Sequence, residues 1–401
     1  MPERLPLTFI MITMALDAMG IGLIMPVMPD LIREVQAVSL SDAAIWGGIL
    51  VASFAVTQFL FSPTLGNLSD RFGRRPVLLI SMAMMAVDYV IMALAGTIWW
   101  LLIGRLLGGV TSATHATASA FVADISHPDK RAQNFGLISA AFGIGFIIGP
   151  VIGGLLAGFG PRAPFIAAAL FAIANLALGY LVLPESLRPE KRRPFVWRRA
   201  NPLGGFMQIG KLPGLKWMLV AMFFYSVSGY VYPAIWAYYT QEAFGWDARL
   251  VGMTLALYGT GMIIVQGGLI RIVMPWLGEA RAVTYGLIID VLALLAFGFA
   301  SQGWMIWALT PFAALGSIAT PAITALMSRR ASEDQQGELQ GVLGSINAMS
   351  MILSPLIMTQ TFFWFTREGT SFYLPGAPFL LAMVLMAAAL AIFLSVLRRP
   401  A

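Results

Sequence analysis

The 401-residue chain is 59% hydrophobic and only 11% charged, with a formal charge of +6, a balance that excludes a soluble globular domain and makes a membrane protein the expectation. It has no cysteine, which excludes disulfides, thiolate nucleophiles and cysteine metal sites, and His115 and His127 are its only histidines. The first apolar run is too long for a signal-peptide core and no small-residue cleavage site follows it, so it is read as a retained first span.

Apolar runs long enough to cross about 30 Å of hydrocarbon recur at 7–29, 44–65, 76–95, 98–122, 134–157, 163–183, 214–237, 249–270, 282–300, 304–327, 340–362 and 378–397. None alternates every second residue, so they predict an all-α integral membrane protein of twelve transmembrane helices rather than a barrel. Placing the N-terminus, the even-numbered loops and the C-terminus in the cytoplasm puts all but Arg33, Arg105, Arg162, Arg249 and Arg367 of the 25 lysines and arginines inside, as the positive-inside rule requires. The net charge is thus a topology signal and not a nucleic-acid patch.

The longest polar interval, 184–213, carries "RPEKRRPFVWRR" and separates an N-terminal six-helix half (1–183) from a C-terminal one (214–401). The halves echo each other. An offset of 205 carries Gly136 and Pro150 onto Gly341 and Pro355, carries Trp99 onto Trp304, and brings Asp88 within three residues of Asp290. Pseudo-symmetry of this kind predicts a transporter with its site at the midplane.

Three carboxylates lie near span centres: Asp17 in span 1, Asp88 in span 3 and Asp290 in span 9. Each costs about 2.5–3.5 kcal/mol if ionised at mid-bilayer. Either they tie helices together through hydrogen bonds, or they couple transport to protons, because burial favours the protonated form until water or a cation arrives. Arg105 in span 4 either pairs with one of these acids or snorkels outward. His115 follows Arg105 by ten residues, about 15 Å further inward at helical rise, as a proton relay or as packing, while His127, in "DISHPDKR", reads as a solvated loop residue.

Between spans 2 and 3 stands "GNLSDRFGRRP", with Gly66, Asp70, Arg71, Gly73, Arg74 and Arg75. Its glycines permit a tight turn, its aspartate suits a helix N-terminus and its arginines can clamp acids across a gate. This loop resembles the signature loop of the major facilitator superfamily. Span 5 holds "GIGFIIGPVIGG", in which Gly145, Gly149 and Gly153 recur every four residues as a close-packing face and Pro150 removes a backbone donor; with Gly154 the pattern is similar to the span 5 motif of that superfamily's drug–proton antiporters.

"LDAMGIGLIMPVMP", "VDYVIMA", "IGRLLGGVT", "FGWD" and "GELQGVLGSINA" extend the resemblance across the chain to the bacterial tetracycline efflux proteins. The resemblance implies that Asp17, Asp88 and Asp290 line the pathway, with Asp290 closest to proton exchange, and that Gln58, Arg74, Arg105 and Arg131 fall on family positions. It also implies exchange of a cationic divalent-metal–drug chelate for a proton. The chain departs from the family pattern where Met262 replaces a histidine four residues before Gln266, where span 4 gains His115, and where Ser354 precedes Pro355. One hypothesis is that His115 takes over the missing imidazole's role, joining Asp17, Asp88 and Asp290 in proton coupling. The loop after span 8 keeps glycine and Arg281 but has no aspartate matching Asp70, so the first half is expected to dominate the gate.

Tyr225, Tyr230, Tyr232, Trp236, Tyr238, Tyr239, Tyr258 and Met262 crowd spans 7 and 8. They read as interfacial belts, Trp236 to Tyr239 above all, or as a polarizable wall for flat multi-ring compounds. With Asp17, Gln58, Asp88, Arg105, Gln266 and Asp290, such a wall favours lipophilic cations. No GxxxxGK[ST] loop points to nucleotides, and no Ser–His–Asp or Glu–x–x–His constellation points to an enzyme. The expectation is a monomeric antiporter of the bacterial inner membrane, both termini cytoplasmic, with no cofactor and no nucleic-acid partner, drawing on the proton gradient; a divalent metal is expected only as part of the cargo. A proton-linked symporter or uniporter of a small metabolite is the alternative.

Overall fold

The structure is a computed structural model that describes residues 4–112 and 114–398. Eight helices come first: α1 (Arg4–Ile24), α2 (Met28–Gln36), α3 (Leu40–Phe72), α4 (Arg74–Leu94), α5 (Ile98–Thr111), α6 (Thr114–Ile125), α7 (Arg131–Leu156) and α8 (Ala163–Val182). Short 3-10 turns lead to α9 (Lys216–Gly229), α10 (Val231–Phe244), α11 (Ala248–Ile264), α12 (Ile270–Gly298), α13 (Gly303–Gly316), α14 (Ala319–Arg330), α15 (Gln336–Thr366) and α16 (Ala377–Leu397). No strand occurs among the described residues. Large apolar side chains such as Ile80, Leu170, Leu181 and Val384 stay exposed on the helices, as a lipid-facing surface demands.

Ten helical stretches among the described residues are long and apolar enough to cross a membrane. They differ from the twelve expected spans in two places. Spans 249–270 and 282–300 fall within one 51-residue stretch, Ala248–Gly298, interrupted at Gly278, whose φ of 70° departs from the helix. Span 98–122 is divided between α5 and α6 instead of running unbroken. At that break Thr111 Oγ1 donates to Leu107 O (2.9 Å) and Ser112 Oγ to Gly109 O (2.9 Å), and hydroxyls bonded back onto the ladder weaken a helix already carrying three glycines, Gly104, Gly108 and Gly109.

Prolines account for the other interruptions. Pro233 has no N–H for the Gly229 carbonyl, and the helix breaks there between α9 and α10; Pro321 likewise orphans the Ser317 carbonyl between α13 and α14. Around Gln266 the helix loosens into a π turn, Val265–Leu269, a feature that recurs at functional sites.

The chain gathers into two compact units. The first runs to Ala37, resumes over Ser53–Pro202 and takes in Ala248–Met253; the second holds Val38–Ala52, Leu203–Asp247 and the chain from Thr254 onward. In the first, Phe9, Ile10, Met14, Leu78, Met82, Phe121 and Val122 form a buried core. In the second, Trp236, Tyr239, Phe297 and Phe379 pack ring against ring. Trp236 and Tyr239 are therefore core and not interfacial belt: their polar ends are satisfied inside, by Thr254 Oγ1 (3.0 Å) and by the Phe297 carbonyl (2.7 Å).

Candidate functional site

The signature loop builds a charged knot at one end of the first unit. Gly73, at φ 108°, turns the chain from α3 into α4, a conformation glycine adopts without strain. A Cβ on Gly73 would also overlap the Glu185 carboxylate. That carboxylate accepts from the backbone amides of Arg74 (2.8 Å) and Arg75 (3.3 Å), an anion on the otherwise unpaired donors of a helix N-terminus. The Arg74 guanidinium reaches Asp70 (2.7 Å), Asp124 (3.2 Å) and Ser69 Oγ (2.6 Å). Arg75 donates to the Tyr180 carbonyl (2.8 Å). Arg71 stays exposed, over the Phe72 ring, and Gly66 has no neighbour within 4 Å of where its Cβ would lie. Arg131, expected in the same group, is exposed and makes no ion pair among the described residues.

Asp124 and Glu185 were not anticipated. Each is an acid just past the apolar part of a span, Asp124 in "FVADIS" and Glu185 in "LPESL", and that position is the one signal that could have found them.

The glycine face of α7 holds α1 in place. Cβ atoms on Gly145, Gly149 and Gly153 would collide with the carbonyls of Ala15, Met19 and Leu23, and Pro150 lies against Gly22. Matching four-residue steps on the two helices let their backbones touch. Gly154 lies against Ala248. The seam fixes Asp17, which is 7% exposed, beside a void of ≈ 10 Å³ shared with Tyr89 and Asn175, about what one water needs.

Asp88 forms an ion pair with Arg105. The pair is buried, Gly104 and Gly108 leave the room that the Asp88 carboxylate fills, and Arg105 also lies over the Phe54 ring (5.3 Å). Asp88 Oδ1 and Arg105 Nε have no hydrogen-bond partner among the described residues. Gln58 is half-buried on α3. His115 is exposed, edge-on to Phe142 (5.9 Å), and hydrogen-bonds to no carboxylate among the described residues.

In the second unit Asp290 on α12 fills the space left by Gly316, where a Cβ would overlap it. The next residue presents the carbonyl orphaned by Pro321, and Gln266 Nε2 approaches it at 3.5 Å. Tyr225 shares a 2.6 Å hydrogen bond with Thr320, and Tyr258 stacks on Tyr232 at 5.2 Å. Tyr230 donates to Asn347 (3.1 Å), and Met262 is half-buried on α11. At this unit's charged end Glu279, also unforeseen, pairs with Arg329 (3.0 Å).

A profile of the Major Facilitator Superfamily matches residues 10–355. The chain is 40% identical to the tetracycline resistance protein, class C, of Escherichia coli, over 86% of this chain and 87% of that one. It is 39% identical to the class G protein of Vibrio anguillarum, over 87% and 88%. Its fold superimposes on the crystal structure of a bacterial homolog of the human lysosomal transporter Spinster with a TM-score of 0.79 at 18% identity, covering 99% of this chain and 97% of that one. The chain therefore belongs to the Major Facilitator Superfamily, within it to the tetracycline efflux family, and is a multi-pass membrane transporter rather than an enzyme.

Proposed function

We propose that the chain exports a lipophilic drug across the bacterial inner membrane in exchange for protons, the cargo being tetracycline as its divalent-metal chelate or a related compound. The observation that carries this reading is a division among three buried acids. Asp88 has a cation beside it, Arg105, whereas no cation pairs with Asp17 or Asp290 among the described residues. An unneutralised carboxylate inside a membrane is costly. Asp17 and Asp290 are the groups that a proton or a cationic cargo must neutralise in turn, and competition for that negative charge is the coupling. As with any ligand-driven shift, it requires proton and cargo to differ in affinity for the two transport states.

In this cycle Asp88 and Arg105 bind and orient cargo, with Gln58, Tyr258, Met262 and Gln266, and Asp290 carries the proton. The knot of Asp70, Arg74 and Asp124 serves as the gate, cytoplasmic as are both termini. The protein works as a monomer without a cofactor, and any divalent metal travels with the drug. The names of its relatives support the cargo class. Met262, where the family resemblance leads one to expect histidine, is the reason to test other lipophilic cations beside tetracycline.

The test follows drug-induced proton movement in inside-out vesicles holding a respiration-driven pH gradient, for the wild type and Asp290→Asn. Tetracycline with magnesium, or another lipophilic cation, should dissipate the gradient in the wild type alone. Dissipation by a small metabolite and by no drug would replace the reading with the symporter alternative.

A further inference from the structure

We propose that the segment Arg188–Trp197 is a docking site for anionic phospholipid headgroups, bolted to the signature loop. The segment leaves α8 just beyond Tyr180, which is exposed and lies under the Arg75 guanidinium (5.7 Å to the ring centre), the arrangement of an interfacial tyrosine–arginine anchor. From there the chain returns along the signature loop. The Arg193 amide donates to the Asp70 carbonyl (3.0 Å) and Asn67 Nδ2 donates to the Val196 carbonyl (2.7 Å). A slack linker makes no such bonds, so the segment is held at the level where α3 leaves the apolar zone.

Its chemistry at that level is specific. Arg188, Lys191, Arg192 and Arg193 are all exposed, with Arg71 exposed on the loop beneath, and Glu190 is the only acid among 188–199. Trp197 is 80% exposed, its ring braced edge-on by Phe195 at 5.0 Å. A large indole held out among cations, with no protein covering it, has the amphipathic character of a membrane-interface residue. Basic clusters immediately outside a span recognise anionic leaflets through the summed attraction of each charge. The Arg193 amide bond to the Asp70 carbonyl then connects a bound headgroup to Asp70, the residue that holds Arg74.

The test needs no transport and is independent of which cargo is carried. The full-length protein, purified in detergent, is titrated with phosphatidylglycerol or phosphatidylcholine and the retained lipid is read by native mass spectrometry. Phosphatidylglycerol should be retained and phosphatidylcholine should not. The combined Lys191→Gln, Arg192→Gln and Arg193→Gln substitutions should lower phosphatidylglycerol affinity by about 100-fold at low ionic strength, with thermal unfolding unchanged because the three side chains are exposed. Arg271→Gln with Arg281→Gln, charges outside this segment, should leave it within about twofold. Equal retention of the two lipids, retention by the triple variant, a comparable loss in the control pair, or displacement by millimolar inorganic phosphate would each overturn the proposal.

Discussion

Glu185 and Arg74 are 111 positions apart, yet the Glu185 carboxylate caps the first amide of α4, at 2.8 Å from Arg74 N. Because the same residue's guanidinium holds Asp70 and Asp124, the cap and the ion pairs fix the two ends of one arginine. Glu185→Gln keeps an acceptor but removes the charge that favours a helix N-terminus. It should cost about 0.3–1 kcal/mol, a small loss in thermal unfolding. Asp124→Asn should instead loosen Arg74 without uncapping α4. Amide hydrogen exchange separates the two: protection of the Arg74 and Arg75 amides falls in Glu185→Gln and stays in Asp124→Asn.

The buried pair of Asp88 and Arg105 predicts strong non-additivity. Arg105→Ala leaves an uncompensated carboxylate among Gly104, Gly108 and Phe54 and should destabilise the protein by about 3–5 kcal/mol. Adding Asp88→Asn should restore a large part of that, because both charges then disappear together. A double-mutant cycle on thermal unfolding in detergent measures it, and additive losses would mean that the pair does not hold α4 to α5. Arg105→Lys should not rescue, since an ammonium lacks the planar fork that meets a carboxylate and covers a ring at once.

The amount of this that is legible without a structure follows from the range of each interaction. Spans depend on the hydropathy of neighbours, so twenty-residue runs are visible, and the breaks at Pro233 and Pro321 are implicit in the ring's missing N–H. The α5–α6 break is harder to see because threonine and serine hydroxyls bond backward in unbroken helices too, as Thr310 and Ser350 do, so their presence alone does not mark a break. Asp17, Asp88 and Asp290 are conspicuous because hydrocarbon makes any charge conspicuous. Asp124 and Glu185 are not, because at a span's end an acid is unremarkable and their partner in the signature loop is 50 and 111 positions away. Gly316 is invisible for a further reason: its importance lies in the room it leaves for a carboxylate on another helix.

A pH-dependent contact lies outside the spans. Tyr373 donates to Glu242 (2.7 Å) in the second unit. Burial, and then the hydrogen bond to Glu242 and its charge, push the Tyr373 phenol up to about 12 from its ordinary 10. A group raised on folding stabilises fully below its unfolded value, so this contribution persists to about pH 10 and disappears as pH climbs through 12. A difference ultraviolet titration between the wild type and Tyr373→Phe should show one phenolate with a midpoint near 12, and a midpoint near 10 would mean the contact does not form in solution.

Gly316 makes the sharpest demand on geometry. A Cβ there falls onto the Asp290 carboxylate and, with the neighbouring contact between Gly286 and Ala319, leaves α12 nowhere to retreat without opening its seam with α13 and α14. Gly316→Ala should therefore cost about 1–3 kcal/mol through overpacking and turn the carboxyl away from its seat. Under the coupling proposed for Asp290, proton exchange should then fall as far as in Asp290→Asn although the acid is still present. Gly344→Ala, at a position with open space around it, controls for glycine replacement as such and should leave both stability and exchange unchanged. If Gly316→Ala unfolds normally and exchanges protons at the wild-type rate, the seat beside Gly316 has no part in the coupling proposed for Asp290.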